Sequence, residues 1–331
     1  MLLGMRLYLS LDKKQSNINF DITMIKFLIK YSIFGLLVFN QFQSIAQTVP
    51  KWENINYVGD DDLGHLLDVY LPSQGAGPFP TVITIAGSAW TDNNNKFWAY
   101  KYGEQGEELL KNGFAVVSMN HRSSYCCNFP AQIHDVKAAV RFIRGNAERF
   151  NLNKKFIGIM GYSSGGHLAA LMGTSGGLDQ VAEGDKEISI EGQLGNFSDE
   201  SSHLDAVVDW YGPTNFMTSC TDEWNGDEIN RMRFLGGSFE KNKDLGALAN
   251  PIKYVDEKDP AFLIMHGTLD KVVPICQSEL LYEKLLSNGN EVKFIPVQGG
   301  NHDYPSWQYD VKSETVNFFK SRYLIKTEKI E

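Results

Sequence analysis

The chain has 331 residues, with 31 Lys and Arg against 40 Asp and Glu, a formal net charge of −9, 43% apolar residues and 21% charged ones. That balance excludes disordered, collagen-like and disulfide-dense chains, and the acidic surplus leaves no basic surface to neutralise phosphates, so no nucleic-acid partner is expected. Of the four cysteines, Cys126 and Cys127 are adjacent and none forms a Cys-x-x-Cys pair; either could reach Cys220 or Cys276, but we expect no disulfide.

Met24 opens a segment in which Lys26 and Lys30 precede an uncharged run, residues 31–39, that ends on Ser44-Ile45-Ala46. Basic residues first, a short apolar stretch and small residues at the exit are the pattern of a secretory leader cleaved after Ala46. The run is too short for the roughly 20 residues of a membrane span. An exported protein, periplasmic or secreted, with no permanent membrane span is therefore expected. Residues 1–23 lack leader character, which makes Met24 the expected start, and residues 47–331 are expected to form a single domain.

Within that domain, β-branched and apolar runs predict strands at residues 66–71, 81–85, 115–119, 156–160, 206–210, 262–265 and 292–297. Several are unbroken hydrophobic stretches, the mark of strands covered on both faces. Between them, helical periodicity covers residues 98–112, 132–150, 277–287 and 311–323. In the second of these, Ile133, Val136, Val140, Ile143, Ala147 and Phe150 form one apolar stripe. Strand–helix alternation of this kind predicts an α/β fold, a mostly parallel doubly wound sheet with helices on both faces. Two insertions interrupt it. Residues 173–203, acidic and rich in Gly and Ser, are expected to pass over the top of the sheet, and residues 217–254 to form a helical or irregular cap.

The sharpest motif is Gly161-Tyr162-Ser163-Ser164-Gly165-Gly166-His167, set between the strand at 156–160 and the helix-forming 168–172. A serine between a strand end and a helix start sits on a tight, strained turn, and the flanking glycines remove side chains that would clash there. Its hydroxyl needs a base held by a carboxylate, and in this context the acid and then the base follow the serine along the chain. That order sets aside His65, His121 and His134. His167, in the first turn of the helix, suits packing or hydrogen bonding, and His203 lies in the acidic insertion. Asp270, just beyond the strand ending at Met265-His266, and His302, on the glycine-rich turn after 292–297, are the remaining candidates. Ser163, Asp270 and His302 thus come from three strand ends on one edge. The turn after residues 81–85, Ala86-Gly87-Ser88-Ala89-Trp90, offers backbone donors for an oxyanion. The amides of Ser88, Ala89 and Ser164 are the candidates, and Trp90 is a candidate wall of the substrate pocket, a core aromatic being an equally good reading of it. Nothing resembling His-Glu-x-x-His occurs, so neither metal nor cofactor is expected.

From about residue 66 to 319 the chain resembles the α/β-hydrolase superfamily, specifically exported bacterial carboxylesterases related to feruloyl and acetyl-xylan esterases. The resemblance rests on the serine motif and on Asp209-Trp210-Tyr211-Gly212-Pro213-Thr214. It extends to His266-Gly267-Thr268-Leu269-Asp270-Lys271-Val272-Val273-Pro274 and Gly300-Asn301-His302. It implies Ser163 as nucleophile, Asp270 as orienting acid, His302 as general base, and ester hydrolysis on short acyl or feruloyl groups of plant polysaccharide. One departure stands out: many relatives carry His-Gly-Gly-Gly-Trp where this chain has Ala86-Gly87-Ser88-Ala89-Trp90. A prolyl-oligopeptidase-like peptidase lacks support because no N-terminal propeller precedes the first strand. A catalytically inactive binding protein would have no reason to keep Ser163, Asp270 and His302 together.

Overall fold

The computed structural model describes residues 48–218, 228–303, 307 and 309–328, so the expected leader lies outside the described residues. In chain order the strands are β1 (Trp52–Asn56), β2 (Leu66–Tyr70), β3 (Phe79–Ile85), β4 (Ala115–Met119), β5 (Leu152–Tyr162), β6 (Gln180–Glu183), β7 (Lys186–Ser189), β8 (Ala206–Trp210), β9 (Ala261–Gly267) and β10 (Val292–Val297). Eight of them form one sheet in the order β1-β2-β4-β3-β5-β8-β9-β10. Pairing is antiparallel from β1 to β2 and from β2 to β4, and parallel from there to β10. Every residue of β3, β4 and β8 is buried, as unbroken apolar runs require of strands sandwiched between helices.

The helices are α1 (Lys96–Lys101), α2 (Gln105–Lys111), α3 (Ala131–Gly145), α4 (Ser164–Thr174), α5 (Glu228–Leu235), α6 (Lys243–Leu248), α7 (Cys276–Ser287) and α8 (Val311–Glu328). Side chains of α3, α4 and α7 fill one apolar cluster against the sheet, and those of α1, α2 and α8 fill a second. The doubly wound α/β architecture expected from the sequence is therefore present.

Several boundaries differ from expectation for local reasons. The helix expected at 98–112 breaks in two because Gly103 and Glu104 adopt φ values of +60° and +55°. The helix expected at 132–150 ends at Gly145, where a Cβ would lie 2.2 Å from the Phe197 ring. Strand β1 and the β6–β7 hairpin were not anticipated, since their exposed polar residues hide the period of two. The insertion at 173–203 runs along α3 and not over the sheet. His134 bonds the Ser189 carbonyl at 2.7 Å, and the buried Lys137 and Arg141 both pair with Glu191. Two cations fully removed from water require that carboxylate, and the requirement draws the insertion onto the helix.

The expectation of no disulfide is also corrected. Cys276, the first residue of α7, is disulfide-bonded, whereas Cys126 and Cys127 are free thiols; Cys220 lies outside the described residues. Bridging depends on the distance between Cα atoms, which spacing along the chain does not reveal.

Candidate active site

Strand β5 ends in Tyr162 and α4 begins at Ser164, so Ser163 alone makes the turn, at φ +55° and ψ −125°. A non-glycine residue in this region stores strain of about 1–3 kcal/mol, which the surroundings must offset. They do so by hydrogen bonds from the Ser163 amide to the Trp210 carbonyl (2.9 Å) and from the His167 amide to the Ser163 carbonyl (3.0 Å). The flanking glycines are steric necessities. A Cβ on Gly161 would meet the Gly165 carbonyl oxygen at 2.2 Å, and one on Gly165 would meet that of Ile85 at 2.4 Å.

Strand β9 lies two strands from β5 with β8 between them, a separation of about 10 Å. An imidazole reaching in from the end of β10 spans that gap. His302 Nε2 lies 3.0 Å from Ser163 Oγ, and His302 Nδ1 lies 2.7 Å from Asp270 Oδ2. The three residues selected from chain order are therefore brought together in one hydrogen-bonded line. Nor does the His302 turn need to swing into place. The Leu269 amide donates to the Gly300 carbonyl (2.8 Å), and Trp307 Nε1 donates to the Asn301 carbonyl (2.9 Å). The Tyr211 ring packs edge-on against the imidazole, with centroids 4.7 Å apart.

Asp270 is ringed by donors. Its Oδ1 accepts the Val272 and Val273 amides at 2.8 and 2.9 Å, while Oδ2 accepts from His302 and, at 3.2 Å, from His266 Nε2. Burial alone would raise the carboxyl, but the hydrogen bonds from His266 and His302 outweigh it and hold the group well below the usual carboxylate range. The acid is thus ionised throughout the ordinary pH range and keeps the proton of His302 on Nδ1, leaving Nε2 with a lone pair toward Ser163. His266 is itself fixed, with Nδ1 2.7 Å from Ser278 Oγ and Nε2 2.9 Å from the Val273 carbonyl. Neither His266 nor Tyr211 was given a role from sequence. For His266 the available signal was its spacing from Asp270 across the turn after β9.

His167 has the structural part expected of it. Its Nε2 donates to the Ala249 carbonyl (2.8 Å), Nδ1 accepts from Trp90 Nε1 (3.2 Å), and burial pushes its pKa down to about 4. Trp90 is a correction. Only 1% exposed, it stacks on Phe234 at 4.4 Å and packs edge-on to His167 and Phe216, so it belongs to the core and does not line a pocket.

Ser88 also departs from expectation. Its amide donates to Ser164 Oγ at 2.9 Å and is occupied, whereas the amides of Ala89 and Ser164 have no protein acceptor among the described residues. The loop reaches the serine because residue 87 is glycine; a Cβ there would meet the Tyr162 carbonyl oxygen at 2.6 Å and Ser163 Cβ at 2.7 Å. Ala89 and Trp90 sit at φ +52° and +59°, so this chain carries strain where glycine would be free of it.

The profile of the BD-FAE family matches residues 67–285, about two thirds of the chain. The chain belongs to the BD-FAE family. Among its relatives, esterase LipC of Mycobacterium tuberculosis is 28% identical over 257 residues, which cover 74% of this chain and 58% of LipC. A truncated form of a carbohydrate esterase from gut microbiota is 39% identical with a TM-score of 0.77, covering 84% of this chain and 98% of that one. A bifunctional GH43-CE protein of Bacteroides eggerthii is 44% identical with a TM-score of 0.76, covering 82% of this chain and 38% of that one. This BD-FAE chain spans about half the length of the curated relatives it matches. The resemblance to α/β-hydrolase carboxylesterases drawn from the motifs holds.

Proposed function

We propose that this BD-FAE chain is a serine carboxylesterase that works through an acyl-enzyme on Ser163. The observation that carries the reading is the continuous line from Asp270 through His302 to Ser163, with contacts of 2.7 and 3.0 Å. Ser163 Oγ attacks the ester carbonyl carbon and gives its proton to His302 Nε2. The Ala89 and Ser164 amides stabilise the resulting oxyanion. As the tetrahedral species collapses, the carbon–oxygen bond to the alcohol breaks and the leaving oxygen takes the proton from His302. Water, deprotonated by the same nitrogen, then attacks the acyl carbon. The carboxylate departs and Ser163 recovers its proton.

The proposed substrates are short acyl esters, acetyl above all, or feruloyl esters carried on plant polysaccharide. Supporting this are the motif resemblance and the 39% identity to a carbohydrate esterase from gut microbiota. Export is proposed from the leader pattern at residues 24–46 and is consistent with a disulfide-bonded Cys276; no helix among the described residues is long and apolar enough to cross a membrane. Residues 47–331 are proposed to act as one catalytic domain. Hydrolysis of 4-nitrophenyl acetate by the full chain, reduced about 10³-fold or more in Ser163→Ala with the fold retained, tests the reading. Equal rates for the two proteins would overturn it.

A further inference from the structure

Two exposed aromatic groups are tied to the loop that carries the oxyanion donors, and nothing in the mechanism uses them. The first is Tyr125, 72% exposed on the turn after β4. Its turn is bonded to the far end of the loop: Ser124 donates to the Trp90 carbonyl at 2.7 Å, Ser123 Oγ donates to the Thr91 carbonyl, and the Tyr125 amide donates to Ser123 Oγ at 3.1 Å. Arg233 lies over one face of the tyrosine ring, with its guanidinium carbon 4.2 Å from the centroid. That arginine is held in turn by α5. Its neighbour Phe234 stacks on Trp90, its carbonyl accepts from Asn128 Nδ2 (2.7 Å), and its Nη1 donates to Asn230 (2.6 Å). No carboxylate among the described residues pairs with Arg233. The cation therefore serves to fix the ring, leaving the opposite face open to solvent.

The second group is Trp98, 56% exposed in the first turn of α1, with Phe97 packed edge-on at 5.3 Å. It follows Asn95, whose side chain donates to the Gly87 carbonyl at 3.4 Å, and Lys96, whose amide donates to Asn120 Oδ1 at 2.7 Å. One platform is thus attached at the start of the oxyanion loop and the other at its end.

We infer that Tyr125 and Trp98 are stacking platforms for sugar rings of the polysaccharide that bears the ester, flanking the residue whose acyl group enters the site. This inference rests on the carboxylesterase reading and names the part of the substrate that binds outside the reacting centre. A pyranose presents a face of C–H bonds about the size of one aromatic ring, with hydroxyls around its edge. Single rings set among Asn, Ser and Arg match that partition of apolar and polar surface. A protein partner would instead need a continuous interface of roughly 1,000 Å². A ring already immobilised by Arg233 loses little conformational entropy on binding, which favours weak, repeated contacts along a polymer.

The test compares acetylated xylan, 4-nitrophenyl acetate and methyl ferulate as substrates for the full chain, Tyr125→Ala, Tyr125→Phe and Trp98→Ala. Each alanine variant is expected to raise KM on acetylated xylan about fivefold, the scale of one lost aromatic stacking contact, with kcat unchanged. Turnover of the two small esters stays at the parent level, and Tyr125→Phe, which keeps the ring, matches the parent on all three. Unchanged KM on xylan in both alanine variants overturns the inference and leaves the esterase reading intact, as does a parent enzyme that cleaves 4-nitrophenyl acetate but not the polymer. A loss confined to methyl ferulate would place the acyl group on the ring and equally refute it. An equal loss on every substrate would mean that the ring serves the oxyanion loop. Failure of the parent to hydrolyse any ester would sink the esterase reading and this inference together.

Discussion

Replacing Asp270 by asparagine probes the reasoning most sharply, because the site leaves the amide no acceptable orientation. The carboxylate accepts four hydrogen bonds, two on Oδ1 from the Val272 and Val273 amides and two on Oδ2 from His302 and His266. Asparagine has one acceptor oxygen and one NH2 group. If the NH2 faces the backbone, the Val272 and Val273 amides lose their acceptor, which costs about 1–3 kcal/mol at the partly buried Val273 and less at the exposed Val272. If it faces His302, Nδ1 must accept, and the imidazole proton moves to Nε2. There it points at Ser163, and no lone pair remains to take the serine proton. In either case the negative charge 2.7 Å from the imidazole is gone when the imidazolium forms. A fall in kcat of about 10³- to 10⁴-fold is expected, the scale of a triad forced into the wrong tautomer. KM on 4-nitrophenyl acetate should hold, since the Asp270 side chain is fully buried and does not meet the substrate. Steady-state kinetics of the folded variant, checked by circular dichroism, decide the matter. A loss of less than tenfold would refute the reasoning.

Other outcomes follow from the same geometry. Ser164→Ala removes the acceptor of the Ser88 amide, a restraint of about 1 kcal/mol on the oxyanion loop, so kcat on 4-nitrophenyl acetate should fall about fivefold at constant KM. A rise in kcat would show that the hydroxyl competes for the amide and does not hold the loop. Gly87→Ala drives a methyl group into the Tyr162 carbonyl and Ser163 Cβ, and should cut kcat by about 100-fold or more; a variant with parent kinetics would contradict the close approach. Asp209 is fully buried with Oδ2 unpartnered, and burial, partly countered by the Gly212 amide, raises its pKa to about 6. Its folded-state pKa lies above the unfolded one, so stability is intact below the unfolded value of 3.8 and is lost as pH climbs from there through about 6, by about 3 kcal/mol in all. Asp209→Asn removes that loss. In urea titrations its stability relative to the parent should be about 2 kcal/mol more favourable at pH 8 than at pH 4, and a difference independent of pH would count against the buried charge.

Much of the site was legible because chain order, strand ends and glycine spacing are properties of sequence. Ser163, Asp270 and His302 each follow a strand whose apolar run is plain, and parallel pairing puts those three ends on one edge. What escaped depends on packing in three dimensions. Trp90 follows the proposed oxyanion donors in sequence, yet its ring turns inward to stack on Phe234 from an insertion well over a hundred residues away. The Ser88 amide is lost to Ser164 through a contact between two loops, and no local pattern reports it. His266 was visible as a strand end, but its second bond to Asp270 arises only once the turn between them closes. Strand β1 and the β6–β7 hairpin are short, polar and half-exposed, so they lack the hydrophobic signal that revealed the central strands.

The most direct measurement is covalent labelling of Ser163, the proposed nucleophile. A fluorophosphonate forms a phosphorus–oxygen bond with an activated serine and expels fluoride, and peptide mass spectrometry locates the adduct. The account predicts one equivalent of adduct on Ser163, formed in step with the loss of 4-nitrophenyl acetate hydrolysis and slowed sharply in His302→Ala. Complete inactivation with the label on another residue, or undiminished hydrolysis with Ser163 fully labelled, would contradict it.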